Sequence, residues 1–170
     1  MKTLLIAAAL ALPALGFAAD APAPQGLDRL TVFAGSWQSN LENYETPYSH
    51  AATISSTLVN QCWKAGAFFM CNLAANGESR VLLVFTYKGG DSYGVTFVPA
   101  DGSHAVNGSL IVAGGVWTFP GQSTKLGQTV YFRTVNMFSD LNNYDYREEF
   151  STDQLTWTLM SKGHVSRVKN

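Results

Sequence analysis

Charge is scarce in this chain. Asp, Glu, Lys and Arg make up only 14% of its 170 residues, and the formal net charge is −1. That balance gives no electrostatic reason to expect a nucleic acid partner. Helical periodicity is also lacking, which argues against a helical bundle or a doubly wound α/β domain. Beyond the N-terminus no apolar run is long enough to cross a bilayer as a helix. The three histidines, His50, His104 and His164, are not spaced with one another, a Cys or an acid in a metal-binding pattern. No metal and no other cofactor is expected.

The N-terminus carries the one uninterrupted apolar stretch. Lys2 precedes Leu4 to Leu12, Pro13 breaks the run, and Gly16, Ala18 and Ala19 follow. A positive start, a short apolar run and small residues describe a cleaved secretory signal over residues 1–19, which places the mature protein in the periplasm or outside the cell. Residues 20–26 read as an Ala/Pro tether, and residues 27–170 as a single domain.

Cysteine is limited to Cys62 and Cys71. A two-residue hairpin turn at Gly66-Ala67, with Gly first as a type II′ turn prefers, sets Ala65 opposite Phe68, Lys64 opposite Phe69, Trp63 opposite Met70 and Cys62 opposite Cys71. Pairs alternate outward from the turn, so the cysteines fall on a non-hydrogen-bonded pair, where the backbones approach closely enough for a cross-strand disulfide. Export permits the bond. Zinc ligation would need further partners, and the spacing is not the Cys-x-x-Cys of a redox motif.

What the chain has in abundance is turns and aromatics. Gly66, Asn76-Gly77, Gly89-Gly90, Asp101-Gly102, Gly114-Gly115, Gly121 to Gly127, Asn142-Asn143, Thr152-Asp153 and Lys162-Gly163 punctuate segments rich in Val, Thr, Tyr, Phe and Trp. Tyr93, Val95 and Phe97 share one strand face; so do Trp117 and Phe119, then Tyr144, Tyr146, Glu148 and Phe150, then Trp157 and Leu159. Short connections predict an all-β, single antiparallel up-and-down barrel of about ten strands, closed so that no edge is left exposed. Leu27, Leu30 and Ala34 predict a short helix ahead of it. A β-sandwich is the alternative, but neither a Greek-key connection nor a Cys…Trp…Cys pattern is present.

The opening Leu27-Asp-Arg-Leu-Thr-Val-Phe-Ala-Gly-Ser-Trp37 resembles the start of lipocalin-like (calycin) barrels, in which a short helix leads into Gly-x-Trp on the first strand. A second Gly-x-Trp at Gly115-Val-Trp117 lacks that setting. The resemblance implies that Trp37 is a structural plug at the closed end. Trp117-Thr-Phe119, Tyr131-Phe-Arg133 and the run from Tyr146 to Trp157 resemble the later strands of an uncharacterised bacterial exported family of this kind, which implies a fold and not a reaction. Nitrobindin-like haem barrels share the architecture, but they follow the Trp with further glycines and a Tyr-Pro element. Here Gln38, Ser39 and Asn40 follow it, so haem is not expected.

No catalytic motif emerges. Gly77-Glu-Ser-Arg-Val81 and Gly121-Gln-Ser-Thr-Lys125 both lack the closing Gly of a nucleophile elbow. One constellation stays open. Glu148 shares a face with Tyr146 and Phe150; if Arg133, with Tyr131, Val135 and Met137, also turns inward, the two charges meet inside the barrel. The other arrangement turns Val130, Phe132, Thr134 and Phe138 inward and leaves Arg133 outside, and both faces carry apolar residues.

A barrel of this size either fills with side chains or holds a small ligand. The reading adopted is a periplasmic or secreted barrel binding a small apolar or amphipathic ligand, lined by Tyr93, Phe97, Trp117, Arg133, Tyr146, Glu148 and Trp157. The alternatives are a filled barrel acting on another envelope protein, or an enzyme that uses the pocket.

Overall fold

A computed structural model describes residues 25–125 and 127–169. The expected signal (1–19) and nearly all of the expected tether lie outside the described residues. A 3-10 helix, Gly26–Phe33, is followed by ten strands: β1 (Gly35–Asn43), β2 (Ala52–Ala65), β3 (Phe68–Ala75), β4 (Glu78–Gly89), β5 (Ser92–Pro99), β6 (Val106–Ala113), β7 (Val116–Lys125), β8 (Gln128–Phe138), β9 (Asn143–Ser151) and β10 (Thr158–Arg167). Each strand pairs antiparallel with the next, and β10 pairs with β1 to close the barrel.

Turn chemistry sets the registers. Gly66 is left-handed (φ +59°), while Ala67 is not among the residues with positive φ, as a type II′ turn requires. Cys62 therefore faces Cys71 in the register. The disulfide is formed, with S–S 2.09 Å and Cα–Cα 4.1 Å. Asn76 and Gly77 are both left-handed, the type I′ geometry that an Asn-Gly hairpin favours.

The helix differs from the expected one in its period. With three residues per turn, Leu27, Leu30 and Phe33 fall on one side, rather than Leu27, Leu30 and Ala34. Leu30 and Phe33 are buried, and Ala34 is already extended. This apolar edge lies across one end of the barrel, packed with Phe69, Phe85, Tyr93, Leu110, Val112 and Trp117. Lys64 pairs with Asp28, Arg29 with Asp91 (2.7 Å), and the Tyr93 hydroxyl donates to Gly26 O (2.9 Å), which fixes the helix there.

Trp37 is fully buried at the same end. Its Nε1 donates to Phe33 O (3.1 Å), and the Arg167 guanidinium stacks 4.1 Å from the ring. Arg167 also donates to Ala34 O (2.6 Å), Val32 O (2.9 Å) and Leu141 O (3.1 Å), which satisfies carbonyls at the end of the helix. Arg167 and Trp37 are register partners on β10 and β1, so the barrel seam and the cap are locked together.

Candidate functional site: a half-filled barrel interior

Side chains fill the capped half of the barrel, but the other half is hollow. The cavity has a volume of about 990 Å³. Its floor is Phe33, Asn60, Cys71, Asn136, Tyr144 and Val165, and Leu41, Val106 and Arg80 stand toward the mouth. At the rim, the β1–β2 connection is held by a Thr46–Ser49 bridge. It sets Tyr48 edge-on against Phe150 and Phe132, with ring centroids 4.8 and 5.9 Å apart.

The two walls differ in chemistry. Strands β3, β4, β5 and β7 contribute Leu73, Val81, Leu83, Phe97 and Phe119, whereas β8, β9 and β1 contribute Thr134, Asn136, Tyr144, Tyr146 and Ser39. The polar wall follows from strand parity: Asn136 pairs with Tyr146, Thr134 with Glu148, and Phe138 with Tyr144, so these residues all share the inner face. The Tyr146 hydroxyl donates to Glu148 Oε2 (3.3 Å). Burial pushes the Tyr144 phenol up to about 12, and burial together with the Glu148 charge pushes Tyr146 up as well. Both tyrosines are therefore neutral donors at ordinary pH. Asn136 is only 7% exposed, and its Oδ1 has no hydrogen-bond partner among the described residues.

The barrel wall also parts on one side. β6 and β7 pair at only three positions, from Ile111↔Thr118 to Ala113↔Val116. Beyond Thr118 no β6–β7 pair forms, and Pro120 has no N–H to give. Asn107, Gly108 and Ser109 on β6 and Pro120, Gly121 and Gln122 on β7 are unpaired with each other, and both stretches border the cavity.

The residues singled out from the sequence are distributed unevenly over this interior. Phe97 and Tyr146 line the cavity, and Glu148 stands beside Tyr146. Tyr93 and Trp117 point inward but belong to the packed half. Arg133 and Trp157 require correction: both lie on the outer face. Arg133 pairs with Glu149 (2.5 Å), its strand neighbour, and its guanidinium covers the Trp157 ring at 4.0 Å. The physical reason is parity, since Phe132, Thr134 and Asn136 take the inner face of β8. The expected continuation of a strand through Trp157 also fails, because β10 begins at Thr158, after the turn that Asp153 and Ser151 organise. Arg133 and Glu148 therefore do not meet.

Sequence reasoning missed Asn136, Tyr144, Ser39 and Asn60 as cavity residues, and Arg167 as the cap. Asn136 was within reach: it shares parity with Phe132, Thr134 and Phe138, but nothing local favoured that face. The histidines all lie away from the cavity. His164 is bonded to Asp145 (2.9 Å), His50 faces Glu45 (3.3 Å), and His104 is in an exposed loop.

No family model and no curated protein matches the chain. Among solved structures it is similar to Rv2717c from M. tuberculosis, with a TM-score of 0.51 and 12% identity over 88% of this chain and 99% of that one. At that identity the likeness is one of fold: a closed antiparallel barrel.

Proposed function

We propose that this chain is an exported, lipocalin-like barrel that binds a small, mostly apolar molecule in its hollow half. The observation that carries the reading is the cavity of about 990 Å³, a size suited to a small-molecule ligand, with one apolar wall and one hydrogen-bonding wall. Export is supported by the disulfide, which persists in oxidising compartments, and by the signal-like residues 1–19.

Gly121 offers a direct test. It lines the cavity, and a Cβ added there meets nothing within 4 Å. Gly121→Trp fills the space without disturbing the packed end. A neutral fluorescent probe, N-phenyl-1-naphthylamine, is expected to bind the native chain and to lose at least about ten-fold in affinity to the variant, with Tm unchanged. A native chain that leaves the probe in water would overturn the reading. Native mass spectrometry of protein from its own host is expected to show a retained small molecule.

A further inference from the structure

Resting on that reading, the cavity also specifies what kind of head group its ligand carries. Cations are missing from the interior among the described residues. Arg133 is turned outward onto Glu149, and Arg167 is occupied by backbone carbonyls beneath the cap. Arg80 stands at the rim, its side chain 58% exposed and held by Glu78 at 2.7 Å. What sets the polar wall apart is a carboxylate, Glu148, and an amide oxygen left without a donor. Asn136 Oδ1 is buried on the cavity wall with no partner among the described residues, and the Tyr146 hydroxyl beside it already donates to Glu148.

We propose that the cavity takes an uncharged or cationic amphiphile whose head group donates an O–H or N–H to Asn136, and that it rejects the corresponding fatty acid. A buried acceptor without a donor is costly, and a ligand hydroxyl or ammonium relieves that cost. A carboxylate has no proton to give. It would lose its water with no cation beside Asn136 to receive it, since Arg80 stands at the rim and is paired with Glu78, and it would lie on the wall that carries Glu148.

The test is displacement of N-phenyl-1-naphthylamine from the full chain by decanol, decylamine and decanoate at about pH 8, where the amine and the acid are both ionised. Decanol and decylamine are expected to displace the probe at concentrations about ten-fold or more below decanoate. Asn136→Leu should retain the probe and lose most of decanol's advantage. Glu148→Gln, which leaves the amide in place, should narrow the gap between decylamine and decanoate several-fold. It decides the matter if circular dichroism shows that Asn136→Leu has not folded. Equal displacement by decanoate and decanol, or a preference unmoved in the folded variants, overturns the inference while the probe's binding upholds the open cavity. A probe that never binds removes both.

Discussion

The two ends of this barrel are built by the same ten strands and follow opposite rules. At the capped end, Trp37, Leu30, Phe85, Leu110 and Val112 are almost or entirely excluded from solvent, and the polar atoms among them are spoken for: Trp37 Nε1 by Phe33 O, Asn60 Nδ2 by the same carbonyl, Tyr93 Oη by Gly26 O. At the hollow end the side chains surround a void, and Asn136 Oδ1 has no protein partner among the described residues. Stability is concentrated where packing and hydrogen bonding are complete. Capacity to bind sits where they are not.

Truncation at each end should break or confirm that division most sharply. Trp37→Ala is expected to cost about 3–5 kcal/mol, because a fully buried ring and its stacked guanidinium lose their mutual support. The disulfide comes next, at the boundary between the halves: Cys71 belongs to the filled cluster and also borders the cavity, and Cys62 packs against that cluster. Replacing both cysteines by Ser should lower stability in urea by about 2–3 kcal/mol, as expected for a short closed loop.

Alkaline titration tests the floor of the cavity. The Tyr144 phenol is raised to about 12 by burial, so the folded chain holds its proton above the unfolded value near 10. The associated stability is present below about pH 10 and falls as pH rises toward 12, by about 2–3 kcal/mol for this group. Tyr144→Phe should flatten the part of the Tm decline between about pH 10 and 12 that this phenol causes; an unchanged slope would show that the ring is wetter than its 8% exposure implies.

Gly163 probes the seam. An added Cβ would come within 2.1 Å of Asn40 O and 2.8 Å of Leu41 Cα, both backbone atoms of β1. Gly163→Ala is expected to cost about 1–3 kcal/mol by prying β10 from β1. The smallest effect belongs to the hollow wall: Leu73→Ala should lose only about 1 kcal/mol, since the side chain already borders empty space. A loss as large as that of Trp37→Ala would mean that the hollow half is not hollow in solution.

Local rules carried the reading of the chain a long way. The Gly66-Ala67 turn, the facing of Cys62 and Cys71, the closed barrel and the shared inner face of Tyr93, Val95 and Phe97 all follow from turn chemistry and a period of two, which are properties of neighbouring residues. The inner face of β8 did not follow from them. Tyr131, Arg133, Val135 and Met137 are as plausible a dry face as Phe132, Thr134, Asn136 and Phe138, and only the register to β7 and β9 chose between them. That choice sent Arg133 outside to Glu149 and Trp157 and brought Asn136 inside. Likewise, Arg167 caps Trp37 only because the last strand closes onto the first. Strand parity and tight turns, both short-range, are enough to specify the wall. The filled end, the cavity and its unpartnered amide were decided by tertiary structure, because they depend on how residues far apart in the chain share one enclosed volume.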